Sequence, residues 1–183
     1  MRPASACNPS GAPFMATWSS FFSVIGSAAA ALLGLLFVVI SINAPATLGP
    51  GQDHSRRLAE QVFQNYLAAL WIALLNLIPD TPLATLGKLT LLITLIWVAW
   101  ALVRLYQGMT GEGSVQYRLR SLRLHMGSLI GYSMLTLSAL HMALSGEDER
   151  DWFAFAVIVL MFSATRVSWQ FLVRIARANA DGS

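Results

Sequence analysis

The sequence predicts an all-α fold, a polytopic integral membrane helix bundle with five transmembrane helices. Three observations carry this. Apolar runs long enough to cross a bilayer recur from one end of the 183-residue chain to the other. Hydrophobic residues make up 56% of the chain and charged residues 11%. A soluble domain uses about a quarter of its residues as charges to cover its surface. The remaining charges fall mostly between the apolar runs, where they signal topology rather than a nucleic-acid surface.

Residues 1–18 are a polar segment rich in Pro, Ala, Ser and Gly, expected to be disordered. No basic stretch followed by an apolar one marks a signal peptide there. The single cysteine, Cys7, cannot form an internal disulfide. Met15 is an alternative start, because the residues after it open directly into the first span.

The first span runs from Ser19 to Asn43, with Trp18 as an interfacial anchor at its rim. It carries no charge and places Gly26, Ala30 and Gly34 at four-residue spacing, a close-packing signal. Pro45 and the pair Gly49-Pro50 end it. The second span, Gln61 to Ile78, is the least apolar because Gln61, Gln64 and Asn65 open it. A four-span alternative makes this segment re-entrant. Pro79-Asp80-Thr81-Pro82 argues for a tight turn instead, giving an antiparallel hairpin with the third span, Leu83 to Tyr106.

In the linker 107–124, Arg118, Arg120 and Arg123 alternate with Leu119, Leu122 and Leu124. That pattern suits a short amphipathic helix on an anionic lipid surface. The fourth span, His125 to Ser145, carries Gly127 and Gly131 at the same close-packing spacing. An acidic turn, Gly146 to Asp151, leads to the fifth span, Trp152 to Ile175. Residues 19–177 thus form a single transmembrane domain, followed by a polar tail, 178–183.

Eight basic residues set the orientation: Arg56, Arg57, Arg104, Arg118, Arg120, Arg123, Arg174 and Arg177. With five spans they share one face, which the positive-inside rule makes cytoplasmic. The N-terminus is then outside and the C-terminus cytoplasmic.

Arg166 is the sharpest anomaly. Counted along the fifth span alone, it lies roughly 4–5 Å from the midplane, where a charge costs at least about 2.5–3.5 kcal/mol. Ser163, Arg166, Gln170 and Arg174 recur at helical spacing and descend towards the cytoplasmic face. Ser41 and Asn43 of the first span and Gln61, Gln64 and Asn65 of the second share that depth. These residues are expected to form an intramembrane polar cluster with Arg166 and Gln170. A structural role, with Arg166 donating to carbonyls and amides, is favoured over an anion-attracting or gating role. A second, outer cluster of Asp80, Lys88 and His141 could handle protons or ions. A snorkelling Lys88 and an interfacial His141 are the simpler reading.

Other chemistry is disfavoured. His125 and His141 lie on one span, sixteen residues apart, and so point about 160° away from each other, which defeats axial haem ligation. No Cys/His/carboxylate set has metal-ligand spacing, so neither cofactor nor metal is expected. No nucleophile–base grouping, P-loop, zinc-protease or dinucleotide-binding motif is present, so no catalytic residues are assigned.

The first span, with Trp18, Phe21-Phe22, Gly26, Ala30, Gly34 to Phe37 and Ser41-Ile42-Asn43, resembles a small bacterial family of five-span membrane proteins. Trp169 and Leu172 to Ile175 resemble that family's last span. Its members are often labelled modulators of the FtsH protease. The resemblance covers both ends and reaches the middle only by hydropathy. Residues 1–14 and the basic linker at 107–124 depart from it. It implies the bacterial inner membrane and a partner in a membrane-protease system, and it brings no catalytic residues.

Beyond membrane lipids, the expected partners are therefore another membrane protein or further copies of the chain. The leading expectation is a non-enzymatic accessory or regulatory bundle. The alternative is a homo-oligomeric ion channel whose first span lines the pore with Ser20, Ser23, Ser27, Gly34, Ser41 and Asn43. A proton-coupled transporter is disfavoured, since no carboxylate lies within the membrane and no repeat is visible.

Overall fold

A computed structural model describes residues 12–44, 47, 49, 53–110 and 115–181. The described residues form five helices joined by short connections, and they contain no strand. These are α1 (Ala12–Ile42), α2 (Asp53–Asn76), α3 (Leu83–Thr110), α4 (Val115–Ser145) and α5 (Arg150–Asp181). Four are long and apolar enough to cross a membrane, over Trp18–Ile42, Leu83–Val103, Met126–Ser145 and Arg150–Ala176. The chain is therefore a helical bundle with four candidate membrane spans, consistent with an integral membrane protein.

The helices outrun the expected spans. α1 starts at Ala12, inside the segment expected to be disordered, while residues 1–11, with Cys7, lie outside the described ones. α2 starts at Asp53 and absorbs polar residues expected in a linker. The basic stretch expected as a separate surface helix is continuous with α4, which runs unbroken from Val115. Nothing in Val115 to Leu124 is Gly or Pro, so no residue there favours a break.

The connections follow local chemistry. Asp80 takes a left-handed conformation (φ 55°) between its two prolines. The Pro82 carbonyl then accepts from the Thr85 and Leu86 amides and opens α3. Gly146 (φ 69°) ends α4, and its amide bonds the Met142 carbonyl. The Asp148 carboxylate accepts from the Arg150 amide at 3.2 Å and caps α5.

Packing departs from chain order at one step, where α2 meets α5 instead of α3. α1 lies on α2, α2 on α5, α5 on α4, and α4 on α3. The expected α2–α3 hairpin is splayed. The two helices are joined by a tight turn but share little contact, and α3 lies against α4 instead. Its Trp97 stacks on Tyr132 of α4 with ring centroids 6.3 Å apart. The flanking helices are accordingly the least enclosed. Of their most apolar stretches, 17% is buried in α1 and 22% in α3, against 39% in both α4 and α5.

α2 is the exception in composition and the centre in space. It is not one of the four apolar candidates, yet Val62, Asn65, Ala69, Ile72 and Ala73 are all buried. Protein on both sides removes the need for a continuous apolar surface, so polar residues are tolerated where neighbours bond them. Two apolar clusters flank its length. One gathers Leu58, Val62 and Tyr66 with Leu36, Val167 and Phe171. The other gathers Ala69 and Ile72 with Phe22, Leu135, Met142 and Leu160.

Small residues set the closest approaches. A Cβ on Gly87 of α3 would lie 2.7 Å from the Ala143 nitrogen and 3.1 Å from the Ala139 oxygen, both backbone atoms of α4. Gly127 and Gly131 admit Ser163 and Leu160 of α5, each 2.7 Å from the position a Cβ would take. Gly26 faces the Ala73 Cβ of α2 at 3.3 Å. By contrast, Ala30 is exposed and Gly34 has nothing within 4 Å. Only the first member of that small-residue series meets α2.

This contrast gives a paired test. Gly87→Ala must displace backbone and should cost about 1–3 kcal/mol of stability. Gly34→Ala should be neutral or stabilising by up to about 1 kcal/mol through helix propensity. Reversible unfolding in mixed micelles compares them, and equal effects would contradict the packing described.

Candidate functional site

A polar layer crosses the bundle between the two apolar clusters. Asn65 of α2 is its hub, with 1% of its surface exposed. Its amide nitrogen donates to Ser128 Oγ of α4 at 2.7 Å. Its amide oxygen accepts from the Tyr132 hydroxyl at 3.0 Å. Gln61 Nε2 also donates to Ser128 Oγ, at 3.4 Å. With both lone pairs engaged, the Ser128 hydroxyl has its proton left for Ser163 Oγ of α5, 3.3 Å away. The layer therefore ties α2, α4 and α5 together.

One turn is enough to build each side of it. Gln61 and Asn65 are four residues apart on α2, and Ser128 and Tyr132 are four apart on α4. Gly127 brings α5 close enough for Ser163 to join. A second bridge lies beside it. Tyr66 Oη is 3.3 Å from Thr165 Oγ1, whose own proton goes to the Met161 carbonyl, so Tyr66 donates. The layer holds no carboxylate, histidine or cysteine. Its chemistry is that of a lock between helices.

The residues expected to form one intramembrane cluster divide four ways. Asn65 enters the layer. Arg166 and Gln170 lie in a groove of about 200 Å³ between α4 and α5, lined also by Gly127, Val159, Phe162, Ser163 and Val167. Ser41 and Asn43 bond back to their own helix, at the Phe37 and Val39 carbonyls (2.8 and 3.0 Å). Gln64 is half-buried and makes no hydrogen bond among the described residues. Arg166 is exposed, and among the described residues its guanidinium has no hydrogen-bond or ion-pair partner.

The register of α4 on α5 also refines the depth of Arg166. Gly127 stands against Ser163, and the helices are antiparallel. Arg166 is three residues beyond Ser163, so it stands about 4–5 Å below Gly127. The apolar stretch of α4 begins at Met126. Arg166 is thus level with the basic-side rim of that stretch, and its long side chain can reach further out.

The outer trio does not assemble. Among the described residues no hydrogen bond or ion pair joins Asp80, Lys88 and His141, and all three are exposed. His141 Nδ1 instead meets Glu149 Oε1 at 2.7 Å. Glu147 is close by, and the three ligand atoms of His141, Glu147 and Glu149 lie within 4.8 Å of one another. The sequence reading did not join them, because the turn at Gly146 is what folds the acidic loop back on α4. The group is largely exposed.

Sequence reasoning passed over Ser128, Tyr132 and Gly87. Ser128 and Tyr132 carried a signal, being polar-capable residues one turn apart on the α4 stripe beside Gly127 and Gly131. Comparison of the chain with protein-family models, curated proteins and solved structures found no match.

Replacing Asn65 with Leu should destabilise the bundle by about 1–3 kcal/mol, since two bonds go and their partners stay buried. Tyr132→Phe should cost about 1 kcal/mol. The double variant should lose less than the sum, because both singles break the same bond. Additive losses in micelle unfolding would mean that the layer does not act as a unit. Arg166→Gln should leave the unfolding midpoint unchanged, since that side chain bonds nothing in the fold.

Proposed function

We propose that this chain is a non-enzymatic accessory or regulatory protein of the bacterial inner membrane, acting through the outward face of α1 on another membrane protein. The resemblance of both ends of the chain to modulators of the FtsH protease makes a membrane-bound protease the first candidate partner. In this reading all five helices cross the membrane, with the N-terminus outside and the C-terminus cytoplasmic. The basic residues support that orientation. The burial of α2 among apolar helices supports its crossing despite its composition.

The observation that carries the reading is the state of α1. It lies at the edge of the bundle, and Ser23, Ser27, Ala30 and Gly34 face outward. They follow helical spacing, so they form one stripe of small residues. A small-residue stripe lets a neighbouring backbone approach closely, which is how helices associate in lipid. The polar layer, by contrast, is consumed in holding the fold together.

A homo-oligomeric channel is the second reading. The same exposed stripe favours it, because its serines could line water at a central axis. Oligomeric state and conductance separate the two.

In a Cys7→Ser background, Gly34→Cys should cross-link in native membranes to a different membrane protein. Cysteine at position 73, buried against α1, should not. Cross-links only between identical chains, together with bilayer currents, would move the assignment to the channel. Gly34→Leu should weaken partner recovery without lowering the unfolding midpoint. For orientation, cysteine at position 147 should label from the outside and cysteine at position 174 only after permeabilisation.

A further inference from the structure

We propose that the groove between α4 and α5 is a binding site for an anionic phospholipid. The lipid comes from the leaflet on the basic side of the protein. Its phosphate sits on the Arg166 guanidinium and its acyl chain on Phe162 and Val159.

The guanidinium calls for an anion. It is exposed, stands level with the basic-side rim of the α4 apolar stretch, where lipid phosphates lie, and has no partner among the described residues. An unpaired cation at that rim attracts an anionic headgroup. The helices do not supply an anion: α1, α3, α4 and α5 carry no Asp or Glu over Trp18–Ile42, Leu83–Val103, Met126–Ser145 and residues 152–176, and Glu60 of α2 is bonded to Arg56. A second copy has the same spans and offers no carboxylate there either. The anion must come from elsewhere, and lipid is the neighbour that every exposed span has.

The groove also has the polarity of a lipid in that leaflet. α5 runs from the acidic turn towards the basic end of the bundle. Along it come Val159 and Phe162, then Arg166, then Gln170. Apolar lining therefore lies towards the membrane centre and donors towards the rim, the order of tail and headgroup. Phe162 is 67% exposed, an open surface for an acyl chain. Gln170 is half-buried beside Arg166 and adds an amide donor. Gly127 on the opposite wall has no side chain to fill the space. The planar guanidinium can bond two phosphate oxygens at once. The sequence adds Arg118, Arg120 and Arg123 at the same end of α4, which raises the local concentration of anionic lipid.

The test uses the full chain, exchanged into micelles with equal phosphatidylglycerol and phosphatidylcholine, and reads retained lipid by native mass spectrometry. Wild type should retain phosphatidylglycerol selectively. Arg166→Gln should lower that preference about tenfold, the scale of one lost charge-assisted contact. Phe162→Ala should lower retention of phosphatidylglycerol, whereas Lys88→Gln, remote on α3, should change nothing. No preference in wild type, or a preference unaltered in both Arg166→Gln and Phe162→Ala, overturns the proposal. So does a membrane protein whose co-purification, rather than lipid retention, depends on Arg166. Lipid retention does not involve α1, so its failure leaves the reading of α1 untouched.

Discussion

Two hydrogen bonds on one amide constrain this bundle more than any other contact. In lipid, the Asn65 side chain has no solvent to turn to, so its nitrogen and oxygen must be met by protein. Ser128 and Tyr132 meet them, and both lie on α4, which is neither the preceding nor the following helix. Those bonds tie α2 to α4 across α5, on which α2 packs, while α3 lies against α4 rather than beside α2. α1 and α3 are then left as flanks, each in extensive contact with a single neighbour.

The placement of polarity follows the same rule. Several outward hydroxyls bond their own helix, as Ser133 does to Leu129 and Ser41 to Phe37. Amides deep in the bundle bond other helices. A membrane helix can hide a serine locally, because its short side chain reaches the carbonyl one turn back. Asn65 spends its amide across the interface instead. Polarity near lipid is therefore local and conformationally neutral, while polarity in the interior specifies which helix sits where.

Much of this was legible in the chain, and the failures have physical causes. The four apolar helices follow from long runs with few or no charges, and the Gly127/Gly131 face from spacing alone. α2 reads as the weakest span, and it is indeed not among the four apolar candidates; its central, protein-enclosed position is what hydropathy does not report. Gly87 was passed over because its counterpart is the backbone around Ala139 and Ala143, and alanines are too frequent here to mark a contact. Arg166 and its stripe-mates Ser163 and Gln170 stood out at once, but Gly127 of α4 as the residue facing them did not. Depth counted along one helix ignores the offset of the next, and only the Gly127–Ser163 contact supplies that register. The His141–Glu149 contact was not read, because the turn at Gly146, not distance in sequence, decides which acid His141 meets.

The central position of α2 also bears on how the protein is made. Its hydrogen-bonding partners are encoded 63 residues or more downstream of Asn65 and Gln61. When α2 leaves the ribosome, only α1 exists to receive it, and the groups that will satisfy its amides have not been synthesised. A segment of this composition has little reason to enter hydrocarbon on its own. If α2 crosses the membrane as proposed, its amides find their partners only once α4 and α5 have arrived, so its integration and its tertiary folding coincide, unlike those of the four apolar helices.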